Sequence, residues 1–315
     1  MKSVSRAIAY PGLPIVFAEG YRIVDGRRLS RHASVGAALT DEREEVRTET
    51  EVTLSHDDVF NVDGKPVEGA RGEGMRTIIE KMKEKGWRSE GLRIESVNHG
   101  ILSGSSDSGA AALTAALDDF FDLKLPKKEL LKLALYGSET AYRSLCGGLT
   151  ENRIQGGECS ATQLASAREL SRIAVYAVSF PGKRYSADEL HEAVVGHHNY
   201  ALREKRAELQ IRKLKDALSD GNLLSVLSVM EDDAQTVHRM FSVVGKRVIT
   251  APMRKLCDAV EGWRENGLEA YWNVAGGNQV YVFCLTEQKR ETASVIAEGG
   301  WDALRLTFAE EARAL

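Results

Sequence analysis

The residues with the clearest chemical potential lie in one short segment, Asn98-His99-Gly100-Ile101-Leu102-Ser103-Gly104-Ser105-Ser106-Asp107-Ser108-Gly109. Glycines let a backbone approach a ligand closely, and serine hydroxyls supply hydrogen-bond donors or a metal ligand. The segment follows a run with strand character and opens a run of small and apolar residues with helical spacing. A helix N-terminus carries unpaired N–H groups and a partial positive charge, so such a loop suits phosphate. No Gly-Lys-[Ser/Thr] follows, which excludes a Walker loop, and the glycine spacing is not G-x-G-x-x-G. The same residue types also make an ordinary capped helix start. Asp107 would repel a phosphate, and its charge makes more sense beside a bridging Mg²⁺ or as a partner of the helix dipole.

A second constellation is Glu139 and Arg143, four apart on a helix predicted over about 127–145, so that both side chains share a face. That spacing serves a surface ion pair equally well. However, small residues flank Glu139 and Gly147-Gly148 follows, as expected of a helix lining a cleft. Arg184, in Pro181-Gly182-Lys183-Arg184-Tyr185, is either part of a solvated turn or a bidentate contact for carboxylate or phosphate, a role Lys183 could take instead. His191, His197 and His198 would suggest a metal, but adjacent histidines on a helix point in different directions and a solvated face is expected. Nothing in the seven histidines argues for catalysis, and no strong general base stands out. Cys146, Cys159, Cys257 and Cys284 form no C-x-x-C, which argues against a paired-cysteine zinc site and against a disulfide framework.

These residues need a scaffold. Strand character marks 15–17, 33–39, 46–54 and 92–97, and Asp63-Gly64 signals a hairpin. Helices are predicted over about 74–85 and after residue 109. Strands follow at 159–167 and 173–180, then a mostly helical stretch over 186–265. Strands at 270–275, 280–285 and 304–308 surround a helix near 287–298. The pattern predicts a two-domain α+β protein, joined near 181–187. With 315 residues the chain can bury a sizeable core, and its net charge of −4 leaves no basic excess for nucleic acid. The apolar run at 7–18 is broken by Pro11, Gly12 and Pro14, and no run approaches a membrane span, so a soluble cytoplasmic protein is expected.

The phosphate-loop segment resembles that of the GHMP kinase superfamily, in particular the mevalonate diphosphate decarboxylases and the archaeal mevalonate 3-kinases. Four further blocks stand in family order. They are Ala9-Tyr10-Pro11 with residues 15–20, His32-Ala33-Ser34-Val35-Gly36-Ala37, Arg143-Ser144-Leu145-Cys146-Gly147-Gly148-Leu149-Thr150, and the weaker Tyr271 to Tyr281. The resemblance implies a GHMP fold with an N-terminal mixed α/β domain (1–183) and a C-terminal ferredoxin-like helix-rich domain (184–315), with the active site between them. It implies ATP with Mg²⁺, ATP phosphates on Ser103, Gly104, Ser105, Ser106, Asp107 and Ser108, and Ser106 as the Mg²⁺ ligand. It places Arg143 on the substrate carboxylate, Glu139 as a substrate-orienting carboxylate, and Arg184 as a second contact. It also implies a homodimer with no nucleic-acid or membrane partner.

The decarboxylases carry a Lys in the first block and an Asp in the last. Those positions fall here on Phe17 and Val274 (or, with an offset of one residue, Ala275 or Asn273), none of which is basic or acidic. Their loss predicts phosphorylation of the 3-hydroxyl of mevalonate without decarboxylation. A decarboxylase of a phosphorylated mevalonate, an inactive ligand-binding relative and a kinase for another small hydroxy acid are the alternatives.

Overall fold

Alternation builds the first sheet. In β6 (Arg47–Ser55), Thr48, Thr50 and Val52 point inward while charged residues point out. β9 (Gly91–His99) pairs antiparallel along its whole length, from Arg47↔His99 to Ser55↔Gly91. β1 (Val4–Ala9) closes the other edge of β6. β7 (Val59–Val62) runs parallel to β9 and turns at Asp63-Gly64 into β8 (Lys65–Pro66), as the dipeptide predicted. The computed structural model describes residues 2–86, 90–182 and 184–315, without the side chains of residues 70 and 71. The reading of Lys183 as an alternate contact lies outside the described residues.

Two helices cover the apolar face of this sheet. α1 (Gly69–Gly86) supplies Ile78 and Met82. α2 (Ser105–Phe121) supplies Leu113, Leu117 and Phe120 against Val52 and Ile94. Burying each such side chain stabilises by about 1.5–3 kcal/mol. Asp122, in the left-handed region at φ 55°, ends α2 by returning its N–H to Asp118 and Asp119.

The second sheet runs through both halves of the chain. Its order is β11 (Glu158–Ala165), β10 (Leu149–Gln155), β5 (Ser34–Thr40), β15 (Ala303–Phe308), β12 (Ile173–Ser179), β14 (Gln279–Leu285) and β13 (Ala270–Asn273), with β2 (Gly12–Val16) also on β5. The halves are joined where β12 pairs with β14 and β15, and where β15 meets β5 at Thr307↔Thr40 and Phe308↔Leu39. At the first sheet, β16 (Arg313–Ala314) pairs with β1. The fold is the expected α+β class, and the helices of the second half are α5 (Ala187–Val195), α6 (Tyr200–Ser219), α7 (Leu223–Val243), α8 (Ala251–Glu265) and α9 (Lys289–Glu298). α7 and α8 pack on β13 and β14 through Trp272, Val282, Met253 and Val260.

Three expectations change. The helix over 127–145 is two, α3 (Lys127–Ala134) and α4 (Tyr142–Cys146). Gly137 sits so close to α1 that a Cβ there would lie 2.7 Å from Met75 Sδ. Ser138 spends its hydroxyl on Asp107 and on the N–H of Thr140, bonds that compete with a helix. The pair His197-His198 lies in the turn between α5 and α6, with stacked rings 4.5 Å apart, rather than on a helix face, and His197 is buried. Finally, Asp25-Gly26 turns β3 (Tyr21–Val24) into β4 (Arg27–Ser30), a second hairpin that the strand assignments above omit.

Candidate active site

The loop before α2 comes within contact of β2. Gly104, at φ 79°, has no room for a Cβ, which would lie 2.6 Å from Gly12 N. This approach leaves Ser105, Ser106 and Asp107 at the first turn of α2, on the wall of a cavity of about 160 Å³. The opposite walls come from Phe17 and Glu19 after β2, the turn at Glu139 and Thr140, Arg143 on α4, Arg184, Leu190 and His191 of α5, Phe241 of α7, and Ala275-Gly276.

Of the residues chosen from the sequence, Phe17, Ser103, Gly104, Ser105, Ser106, Asp107, Glu139, Arg143, Arg184 and Ala275 meet in this cavity. The Ser103 and Tyr281 hydroxyls share a hydrogen bond at 2.8 Å. Ser108 faces inward, onto Thr48 Oγ1 at 2.7 Å. Val274 is buried behind the wall, and its carbonyl accepts from His238 Nε2 at 2.6 Å. Gly147 and Gly148 do not line the cavity; they make room for the backbone near Glu310 and Ala165.

Each carboxylate on the wall has a cationic or imidazole partner. Asp107 Oδ1 accepts from Ser138 at 2.7 Å and from Thr140 at 2.6 Å, and its Oδ2 lies 3.4 Å from Arg143 Nη1. Arg143 lies flat across Gly36 of β5, where a Cβ would be 2.5 Å from its Cδ, and its buried Nε has no partner. Glu139, 2 % exposed, receives Arg28 Nε at 2.7 Å and His191 Nε2 at 3.1 Å. Gly20 N–H can only donate, so His191 Nδ1 accepts it at 2.8 Å. The ring hydrogen of neutral His191 therefore sits on Nε2, facing Glu139. Arg28 also pairs with Asp188 and stacks on Tyr21 at 3.9 Å.

Glu19 belongs to a deeper network. Arg203 of α6, wholly buried, reaches Glu19 at 3.0 Å and Asp233 of α7 at 2.9 Å. The same pair holds both backbone groups of Phe17, with Asp233 accepting from its N–H at 2.9 Å and Arg203 donating to its carbonyl at 3.2 Å. Burial opposes ionisation of Glu19, but Arg203 and His32 outweigh it and hold its carboxyl below the usual range. Burial and the nearby Glu19 push Asp233 up.

The sequence reading missed Arg28, Glu19, Arg203 and Asp233, and set His191 aside as part of a solvated face, whereas it lines the cavity on Glu139. Only Arg28 carried a local signal, the Asp25-Gly26 hairpin that turns its strand into the protein. The others become neighbours only across α5, α6 and α7.

The first half of the chain, residues 25–164, matches the family model described as the diphosphomevalonate decarboxylase-like N-terminal domain. Residues 185–290 match that of the mevalonate-3-kinase C-terminal domain. The mevalonate-3-kinase of Picrophilus torridus is 31% identical over 295 residues, which is 89% of this chain and 87% of that one. The chain belongs to the mevalonate-3-kinase family. The mevalonate 3-kinase of Thermoplasma acidophilum is 27% identical over 91% of this chain and 90% of its own. The crystal structure of that enzyme with mevalonate 3-phosphate and ADP bound has the same fold. Its TM-score is 0.91 at 24% identity, covering 100% of this chain and 99% of that one. Family membership makes this chain a kinase, with the cavity above as its candidate active site. No helix among the described residues is long and apolar enough to cross a membrane.

Proposed function

We propose that this protein transfers the γ-phosphoryl group of ATP to the tertiary 3-hydroxyl of (R)-mevalonate, yielding mevalonate 3-phosphate and ADP without decarboxylation. The observation that carries this reading is one cavity in which a phosphate-type loop faces Glu139 and Arg143 while Phe17 closes the wall. Phe17 and Val274 stand where the decarboxylases carry Lys and Asp. One is an aromatic wall and the other is buried, so neither can serve the loss of CO₂.

Ser105, Ser106 and the amides at the start of α2 cradle the β- and γ-phosphates. Gly104 supplies the close approach, and Ser103 shapes the loop through Tyr281. Asp107 orients Arg143, whose guanidinium meets the substrate carboxylate or the transferring phosphoryl group. Arg184, which donates to Leu102 O at 3.3 Å, is the second anion contact and ties the loop to the far wall. Glu139, fixed by Arg28 and His191, accepts a hydrogen bond from a substrate hydroxyl and repels a 5-phosphate. With Phe17 and Ala275, these residues enclose a small acid.

The donor set also fits Mg²⁺. The described residues hold no cluster of three acidic or sulfur/imidazole ligands. Mg²⁺ in kinases is held mainly by phosphates, water and one or two protein oxygens, a demand that Ser106 meets. When bound, an ion held by Ser106 would neutralise the charge that develops during transfer. Phosphoryl transfer needs positioning and electrostatics more than a strong base, which suits a wall whose carboxylates are all engaged. The division of the chain near 184, a homodimer and a cytoplasmic location complete the proposal, on the family resemblance.

The test follows ADP and CO₂ with ATP, Mg²⁺ and mevalonate, 5-phosphomevalonate or diphosphomevalonate. ADP without CO₂, from mevalonate alone, is expected. Release of CO₂ from any of them would make the chain a decarboxylase, and absence of ADP throughout would leave it a binding protein.

A further inference from the structure

Part of the active-site cavity is apolar. Phe17, Leu190 and Phe241 line it, and all three belong to one buried cluster that continues into Val274. Ala275, the next residue, adds to this stretch of wall. Such a surface gains from covering hydrocarbon and gains nothing from a charge or a hydroxyl. Glu139, Arg143 and the loop serines, which suit a carboxylate, hydroxyls and phosphates, line the same cavity.

Helix α7 arranges this wall. Its Asp233 accepts from the Phe17 N–H at 2.9 Å. Further along, His238 and Phe241 are three apart and share a face. The His238 ring meets the Phe17 ring at 5.9 Å with planes at 83°, and the Phe241 ring at 5.7 Å and 67°. Both are edge contacts of the kind that aromatic pairs favour. His238 Nε2 lies 2.6 Å from the Val274 carbonyl, which can only accept, so Nε2 carries the hydrogen. One buried imidazole therefore touches both phenyl rings and the backbone that leads into Ala275. It does not itself line the cavity.

We propose that Phe17, Phe241 and Ala275 read the methyl group on the carbon that bears the reacting hydroxyl, and that His238 is the positioning residue that spaces this wall. The inference rests on the function proposed above, whose substrate is a tertiary alcohol. A secondary alcohol of the same length offers the same carboxylate and hydroxyls to the polar groups, so only the apolar wall tells the two apart. One methyl in an apolar pocket is worth about 10–200-fold in kcat/KM. A larger alkyl group is refused by overpacking against rings that are already held from behind.

ADP release can be followed with ATP, Mg²⁺ and mevalonate, its analogue with hydrogen in place of the methyl group, or its analogue with ethyl there. The full-length protein should prefer mevalonate over each analogue by about tenfold or more in kcat/KM. In Phe241→Ala, with Phe241→Leu as the milder variant, that preference should fall to about threefold or less, and the ethyl analogue should gain most. His238→Gln keeps a donor for the Val274 carbonyl, and His238→Phe keeps a ring between the phenyls. Each should lose part of the discrimination and His238→Ala most of it, through KM more than kcat. A merely structural role would lower turnover of all three compounds in step, whereas ADP affinity and thermal unfolding report whether each variant is folded. No ADP from mevalonate would overturn the proposed function and this inference with it. ADP from mevalonate with equal kcat/KM on the analogue without the methyl group would overturn this inference alone, as would an unchanged preference in the Phe241 and His238 variants.

Discussion

Arg143 owes its position to a missing side chain. Its aliphatic stem crosses Gly36, and a methyl there would lie 2.5 Å from Cδ and 2.6 Å from Cγ. Gly36→Ala should therefore swing the guanidinium out of the cavity without removing it. Misplacement of about 1 Å can cost on the order of 100-fold in rate. We expect a kcat/KM loss of that order with only a few degrees of change in Tm, measured by ADP release and thermal unfolding. Near-normal turnover would take Arg143 off the reaction path. Glu139→Ala should reduce turnover at least as sharply. His191→Ala should do so more mildly, about tenfold, since Arg28 still holds the carboxylate. Equal losses in Glu139→Ala and His191→Ala would mean that Glu139 acts only through the imidazole. The residues that the sequence offered were those with a local signature, namely the serines of the loop and Arg143 before its paired glycines. Glu139 joined them through a helix that does not exist. It reaches the same wall because a turn, held by Ser138 and Thr140 on Asp107, carries it there.

Between elements, the decisive contact is Arg203. It fastens α6 to α7 through Asp233 and both to the segment after β2 through Glu19 and the Phe17 carbonyl. Removing one partner of a buried ionic cluster costs about 3–5 kcal/mol, because the remaining charges stay buried and unmatched. Arg203→Ala should lose stability of that order in urea unfolding. A surface-like loss well below 1 kcal/mol would mean that water already reaches the cluster. Strand alternation, helical spacing and the Asp63-Gly64 turn were readable because each is a local pattern. Arg203, Glu19 and Asp233 were not, since a charged residue on an amphipathic helix looks solvated until a partner from 184 residues away meets it. The true break of the 127–145 helix likewise depends on Met75 from another element.

Across the whole molecule, the second sheet makes the two halves of the chain one mechanical body, because β5 and β15 share hydrogen bonds. All four cysteines are buried and unpaired, two in each half, and burial pushes each thiol up. They should resist a thiol reagent in the native state and become reactive together across a single urea transition. Separate transitions for the two halves would contradict a shared sheet. Stability should also depend on His238. Burial, reinforced by Arg254, holds its imidazole down at about 4, from an ordinary 6.5, against the pull of the Val274 carbonyl. A depressed histidine stays neutral in the fold while the unfolded chain takes up a proton. Its stabilisation is therefore complete above pH 6.5 and is lost as pH falls toward 4. The loss is about 2 kcal/mol by pH 5, and it should disappear from the pH dependence of His238→Gln.

The pairing of Thr40 with Thr307, and of Ala7 with Ala314, also sets a timetable. Contacts between such distant parts of a chain form late, after a large loop-closure entropy has been overcome, and proteins rich in them fold slowly. The strand beneath Arg143 is among those that wait. Nucleotide capture during refolding should thus lag behind the gain of helix signal, so that competence to bind reports the last long-range strand to dock rather than the first helices to appear.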